Sequence, residues 1–183
     1  MIQLPYLVQR SSIERLMPLE HNNILEQLRA AFPAEPIHAA GAFDDWGTTY
    51  PDADPYAQHL EGKTWEQLDR SYAITRADAL GFLGTRTLVA VLPVYLRALV
   101  VDGAWSPCAD TVVLLLTKPE PGKKTGIKLQ RFEAMVSALT SEQRAVIAAV
   151  LRAFATANED GSPGERARAA LERHWNAYLP GGS

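Results

Sequence analysis

Apolar residues recur at helical spacing along most of the chain. Between residues 24 and 32 they occupy one face of a helix, and similar spacing returns over 127–139, 146–154 and 167–178. An interval of three or four residues places side chains on one side of an α-helix. Pro33 ends the first segment because proline disfavours a helical residue before it. The pattern therefore predicts a series of amphipathic helices.

Helix start signals are found at several places in the sequence. Thr64–Gln67 and Thr140–Gln143 have the form of a capping box, in which each side chain bonds the backbone amide of the other residue. Ser162–Glu165 combines a capping serine, a first-turn proline and an acid. We expect helices through Tyr72, from 141 onward and over 163–179. A further short helix is expected to start near Thr75 and to end at Gly84.

Two apolar segments allow more than one interpretation. Over 87–101 the valines favour a buried strand, whereas the positions from Leu88 to Val100 also have helical spacing. Pro93 either kinks one long helix or lies in the first turn of a shorter one. We favour a helix over 93–101 and leave 87–92 open between helix and strand. The segment 111–117, "TVVLLLT", is too short for its periodicity to decide between the two.

Residues 33–63 contain four prolines and three glycines. This composition opposes helical hydrogen bonding, so the segment is predicted to be a loop with at most short extended pieces. A connection of this length is uncommon inside a compact domain. Its aromatic residues are therefore expected to anchor it on the body of the protein: Phe43, Trp46, Tyr50 and Tyr56.

The length and composition are those of one globular domain. The chain has 183 residues, of which 47% are hydrophobic and 21% charged, and this length is sufficient to bury a sizeable core. We predict a mainly α, single-domain, helical bundle-like fold over 1–183 with a long proline-rich acidic loop. One or two short strands remain the alternative for the two segments left open above.

Charge is unevenly distributed, although the net charge is only −3. Seven acids and one base, Lys63, lie between Gly41 and Asp69, whereas five bases and one acid lie between Lys118 and Arg131. These stretches are either solvated loops, surfaces that face each other, or surfaces for a partner. The small net charge argues against nucleic acid as that partner.

The sequence contains no recognisable catalytic or cofactor-binding motif. The pieces "GFLG" and "PGKKTG" lack the spacing of a phosphate-binding loop, and the four histidines form no metal-binding pair. Cys108 is the single cysteine, which excludes an intramolecular disulfide. We therefore predict no cofactor and no metal.

The longest apolar stretch, 87–101, is too short to span a bilayer, so we expect a cytoplasmic protein without a membrane partner.

Several pieces of the chain resemble, in their order and spacing, an uncharacterised family of small bacterial proteins. They are "LEQLRAAF" (25–32), "GKTWEQL" (62–68), "LGFL" (80–83), "LPVYLRALV" (92–100) and "LTSEQRAVIAAVL" (139–151). Together they extend over most of residues 24–154. The resemblance implies a helical architecture and supplies no activity.

Small, acidic, helical proteins without catalytic motifs are typical of immunity proteins, which neutralise a toxin from the same bacterium. An acidic surface with aromatic anchors can occlude a basic cleft and associate quickly through electrostatic attraction. We therefore favour a non-catalytic, protein-binding function with a cognate toxin as partner. The predicted contact residues are Asp44, Asp45, Trp46, Asp52, Asp54, Tyr56 and Glu61.

Two alternatives of other classes stay open at the level of the sequence. One is a structural or regulatory domain that self-associates around Trp105 or through the C-terminal helix. The other is an enzyme of unrecognised type, which needs convergent polar residues in a pocket. The sequence does not fix the oligomeric state.

Overall fold

The computed structural model describes residues 21–39, 43, 53–103, 106–120, 122, 126–158 and 162–181. Within these ranges the regular structure is helical and no strand occurs. The prediction of a mainly α fold is therefore confirmed. The strand alternatives for 87–92 and 111–117 are wrong, because residues 87–92 and 111–116 are helical.

The first described helix, α1, covers residues 21–31. The helices that follow it in chain order are α2 (Ala53–Leu60), α3 (Arg70–Thr75), α4 (Thr85–Asp102), α5 (Ala109–Leu116), α6 (Gly126–Ala138), α7 (Ser141–Ala157) and α8 (Ser162–Arg173). The 3₁₀ turns Trp65–Gln67, Ala77–Gly81 and Trp175–Tyr178 connect or extend them.

Helix α4 is the central element of the core. It packs against α3, α5, α6 and α7, and most of its residues are buried, Pro93 included. The helix runs without interruption through Pro93, since packing on several sides stabilises it more than one lost hydrogen bond destabilises it. It ends at Gly103, whose positive φ of 58° suits glycine and whose amide donates to the Leu99 carbonyl.

The prediction that 33–63 contains no helix is wrong over α2. Pro55 is the third residue of this helix. In the first turn the backbone N–H groups have no partner within the helix, so a proline there removes no hydrogen bond. The density of prolines was therefore a poor guide to this part of the segment.

The predicted helix through Tyr72 is divided in two. Gln67 accepts a hydrogen bond from the Thr64 amide at 2.8 Å, as the capping box predicts, but the turn that follows is a short 3₁₀ helix. Asp69 then caps α3 by accepting from the Tyr72 amide at 2.9 Å. A second cap so close to the first starts a new helix, because a capping residue has extended backbone angles.

The C-terminal helix predicted over 163–179 is also interrupted. Helix α8 ends at Arg173, and after His174 the chain continues as the 3₁₀ turn Trp175–Tyr178. Trp175 is completely buried, and its indole N–H donates to the Leu116 carbonyl at 2.6 Å. This bond ties the end of the chain to the end of α5.

Candidate functional site

The segment between α1 and the first 3₁₀ turn is closed at its base by backbone hydrogen bonds. The Ile37 amide donates to the Lys63 carbonyl at 2.8 Å, and the Gly62 amide donates to the Ile37 carbonyl at 2.9 Å. Gly62 has a φ of 73°, which glycine adopts without the steric cost of other residues. The residues that flank 40–60 are therefore held next to each other. We call residues 40–60 the closed segment.

A side chain supports the same closure. Glu61 Oε2 accepts a hydrogen bond from the Ala39 amide at 2.8 Å, and His38 Nδ1 lies 3.6 Å from Glu61 Oε1. Glu61, predicted as a contact residue for a partner, is thus engaged in holding the two ends of the closed segment together. About half of its side chain remains exposed to solvent.

Aromatic residues anchor the closed segment on the core. Phe43 and Tyr56 pack edge to face with ring centroids 5.3 Å apart, and both side chains are buried. The expectation that aromatic residues anchor this segment is confirmed for these two. Tyr56, predicted as a contact residue for a partner, is 0% exposed, so its side chain does not form part of the surface in this structure.

Tyr56 belongs to a buried cluster of three tyrosines. Its hydroxyl is hydrogen-bonded to that of Tyr72, and the Tyr72 and Tyr95 rings lie 6.1 Å apart. Tyr95 donates its hydroxyl proton to the Arg76 carbonyl at 3.0 Å. Burial, together with the neighbouring tyrosines, raises the pKa of Tyr72 and of Tyr95 far above the usual value. Both side chains therefore act as neutral hydrogen-bonding groups rather than as acids.

The remaining predicted contact residues are acids and one tryptophan of the closed segment. Asp44, Asp45, Trp46 and Asp52 lie outside the described residues, as does Trp105. Asp54 belongs to the first turn of α2. Of the predicted contact residues, the structure therefore places Tyr56 and Glu61 where the closed segment joins the rest of the protein.

Sequence comparison matches residues 20–179 to a family described as "Family of unknown function (DUF6714)". The match extends over far more than half of the chain. The protein belongs to this family. Neither a curated protein nor a solved structure is significantly similar to it. The resemblance to an uncharacterised family is confirmed, and with it the helical architecture.

Two further acids of this DUF6714 protein are engaged in local contacts. Glu66 lies 3.6 Å from Arg29, with both side chains substantially exposed. Asp69 caps α3, and hydrogen bonds from the Ser71 hydroxyl and the Tyr72 amide lower the pKa of its carboxyl group. The acidic stretch therefore has more neighbouring bases in space than its sequence indicates, because Arg29 approaches from α1.

Sequence reasoning did not identify Arg97 as a link between elements. Its guanidinium lies 5.6 Å from the Trp65 ring centroid and donates to the Leu68 carbonyl. Trp65 is buried, and its indole N–H donates to the Phe32 carbonyl at 2.8 Å. Arg97 and Trp65 together join α4, the first 3₁₀ turn and the end of α1. The only sign of this link in the sequence was a single arginine within an apolar run.

The basic stretch of this family member is partly used for internal contacts. Arg131 donates to the carbonyl groups of Gly81 and Leu83 at the end of the second 3₁₀ turn. Glu120 pairs with Arg173 at 2.8 Å. Lys123 and Lys124 lie outside the described residues.

Among the described residues of the DUF6714 chain, no group of three or more His, Cys, Asp or Glu side chains is placed to hold a metal ion. Cys108 is buried, its Sγ lies 3.1 Å from the Ser106 hydroxyl, and burial raises the pKa of the thiol. A raised pKa lowers the fraction of reactive thiolate.

Within the described ranges, no single helix is long and apolar enough to cross a membrane. Helices α6 and α7 taken together are long and apolar enough, but they are bent by 118° relative to each other.

Proposed function

We propose that the protein binds a protein partner through the closed segment and that the partner is a toxin whose basic cleft this segment occludes. The protein then acts as an immunity protein without chemistry of its own. The closure of the segment at its base is the observation that supports this proposal most directly.

Closure at the base reduces the entropic cost of binding. A segment whose ends are already held together loses less conformational freedom when a partner orders it than one with free ends. Phe43 and Tyr56 pack against each other, so that twelve residues of the chain lie between these two buried side chains. These twelve residues contain the acids and Trp46, which are the proposed contacts.

The charge of this stretch supports a basic partner. Between Gly41 and Asp69 seven acids stand against Lys63, and Glu61, Glu66 and Asp69 contribute to local contacts of the fold. The other four acids lie in the part of the chain between the two aromatic anchors. Acidic side chains attract a basic cleft and accelerate association, and a tryptophan can fill a pocket of the partner.

The test begins with capture of a partner by the tagged protein from cells of the source organism, followed by a toxicity assay of the captured protein. We expect the partner to arrest growth when expressed alone and to be harmless when co-expressed with the wild-type chain. The triple variant Asp44→Asn, Asp45→Asn, Trp46→Ala is expected to lose both binding and protection.

The matched control removes the same kind of charge elsewhere on the surface. Glu133 and Glu172 are exposed on α6 and α8, so the double variant Glu133→Gln, Glu172→Gln is expected to bind and protect as the wild type does. A partner that remains bound to the triple variant with unchanged affinity refutes the assignment of the contact residues. A partner without toxicity refutes the immunity function.

Self-association is a second candidate function, supported by exposed apolar side chains. Val101, Leu114 and Ile127 are 61%, 69% and 65% exposed. In α8, by contrast, Gly164, Ala167, Ala170 and Leu171 are buried in the fold. Light scattering distinguishes the two cases: a dimer that Leu114→Lys dissociates supports self-association, and a strict monomer at high concentration refutes it.

A further inference from the structure

A cavity of about 240 Å³ lies where the C-terminal ends of α4 and α7 meet. Most of its lining residues are apolar and come from the C-terminal parts of both helices, and three polar residues also belong to the lining. The apolar lining includes Leu99, Val100, Val150, Ala153 and Phe154, and the polar residues are His21, Asp102 and Asn158.

The electrostatic environment of this cavity favours positive charge. The carbonyl groups at a helix C-terminus carry partial negative charge, and both α4 and α7 end at the cavity. Neither helix has a basic residue in its last turn. At the end of α7, Asn158 Nδ2 donates to the Phe154 carbonyl at 2.7 Å, and Arg168 of α8 lies 3.4 Å from the Ala155 carbonyl. The end of α4, which carries Asp102, therefore contributes most of the negative potential at the cavity.

Asp102 adds a formal negative charge in the same lining. Its side chain is only 9% exposed, and its Oδ2 accepts a hydrogen bond from Arg70 Nε at 2.8 Å. The Arg70 side chain is itself 65% exposed. Among contacts between described residues, Asp102 Oδ1 accepts no hydrogen bond. A carboxylate in such a partly buried position attracts a cation more strongly than one in water.

We propose that this cavity binds a small organic cation of the primary alkylammonium class. The apolar stem packs against Leu99 and Phe154, and the ammonium group donates to Asp102 and to helix-terminal carbonyl groups. A hard metal ion fits the lining poorly, since Ca²⁺ takes six to eight oxygen ligands and most of the lining is hydrocarbon. The site is separate from the proposed toxin-binding surface, because none of the described residues of the closed segment lines it.

The experiment is a titration of the isotope-labelled full chain with n-butylammonium, followed by NMR at pH 8. At this pH an alkylammonium is still protonated, as a lysine side chain is. We expect saturable shifts at the amides of Val101, Gly103 and Asn158. The neutral analogue n-butanol, with the same stem, is expected to bind about tenfold more weakly, since it lacks the charge-assisted hydrogen bond. Shifts confined to other parts of the chain, or equal binding of n-butanol, refute the proposal.

Variants separate a specific site from a general loss of structure. Asp102→Asn is expected to weaken binding about tenfold, and Ala153→Leu to block the cavity without changing its charge. Arg70→Ala is expected to raise the affinity, because it removes the cation that competes for Asp102. A merely destabilising substitution does not strengthen binding.

The control is Asp110→Asn, since Asp110 is an exposed acid that pairs with Arg166 at 2.8 Å and does not line the cavity. This variant is expected to bind n-butylammonium as the wild type does. Affinity that falls equally in Asp110→Asn and Asp102→Asn, or that is unchanged in Asp102→Asn, shows that the cation binds through the overall charge of the surface and refutes a specific site.

Discussion

The Glu61 carboxylate accepts a hydrogen bond from the Ala39 amide, which lies twenty-two residues earlier in the chain, at a distance of 2.8 Å. This contact lies beside the backbone bonds between Ile37 and the Gly62–Lys63 peptide. A carboxylate that accepts from a backbone amide forms a charge-assisted hydrogen bond, which is stronger than one between neutral groups. Glu61 therefore contributes to the closure of the segment that carries the proposed contact residues.

Glu61→Ala is predicted to loosen this closure, whereas Glu61→Gln retains an acceptor for the Ala39 amide. We expect Glu61→Ala to lower the free energy of unfolding by about 1 kcal/mol and to accelerate hydrogen exchange at the Ala39 amide. Glu61→Gln is expected to restore most of the protection. Hydrogen exchange followed by NMR measures both effects.

The control for Glu61 is Glu66→Ala, which removes an exposed acid whose neighbour Arg29 is also exposed. Exposed ion pairs contribute little, so its effect on stability is expected to stay below about 0.5 kcal/mol. If Glu61→Ala leaves exchange at Ala39 unchanged, the carboxylate does not hold the two ends together.

The hydroxyl group of Tyr56 is predicted to stabilise the base of the closed segment. Tyr56→Phe keeps the ring against Phe43 and leaves the Tyr72 hydroxyl with one partner fewer inside the core. We expect a loss of about 1–3 kcal/mol in the free energy of unfolding, measured by urea denaturation.

Tyr178→Phe tests the same chemical change at a half-exposed position, where it is expected to cost less than about 0.5 kcal/mol. Equal losses in the two variants mean that the buried contact between Tyr56 and Tyr72 contributes nothing beyond what any tyrosine hydroxyl does.

The sequence predicted those features that short stretches encode. The cap of α7 is an example: the Gln143 amide donates to Thr140 Oγ1 at 3.2 Å, and the Thr140 amide donates to Gln143 Oε1 at 3.0 Å. Four consecutive residues contain all of this information. The same holds for the helical spacing of α6 and α7, which both lie close to the predicted segments.

Features that depend on distant parts of the chain could not be predicted. The bond between Glu61 and Ala39 depends on how the chain returns to its starting point, and no local pattern specifies this. Tyr56 resembled an exposed contact residue in an acidic loop, but the core around Tyr72 and Tyr95 buries it. The cavity lined by Asp102 likewise exists only because the ends of α4 and α7 meet.

Gly164 is predicted to be required for packing, although alanine is the better helix former. A Cβ atom at this position lies 1.8 Å from the Asn158 carbonyl oxygen, so the backbone has to move. We expect Gly164→Ala to lower the free energy of unfolding by about 1–3 kcal/mol or more, as overpacking does. Thermal denaturation of the purified variant measures this.

Gly126 provides the matched control, since it starts α6 and a Cβ atom there meets nothing within 4 Å. Gly126→Ala is expected to be neutral or to stabilise by about 0.4–1 kcal/mol, because alanine restricts the unfolded chain. A Gly164→Ala variant that is as stable as Gly126→Ala shows that the turn between α7 and α8 relaxes without cost.

The buried tyrosines are predicted to make the protein sensitive to alkali. Burial raises the pKa of Tyr72 and of Tyr95 in the folded state, whereas in the unfolded state both ionise near pH 10. Above about pH 10 the unfolded chain therefore releases protons that the folded chain retains, and stability falls as the pH rises. Each such group contributes a slope of about 1.4 kcal/mol per pH unit. Below about pH 10 both groups are protonated in the folded and the unfolded state, so neither contributes to the pH dependence of the free energy of unfolding.

Urea denaturation at a series of pH values from 8 to 11 measures this slope, and absorbance at 295 nm reports tyrosinate directly. Tyr95→Phe is expected to reduce the slope by the contribution of one proton, whatever its effect on stability at pH 8. If all six tyrosines ionise together near pH 10 while the protein is still folded, the hydroxyl groups of the cluster are accessible to solvent and do not stabilise the core in the neutral form.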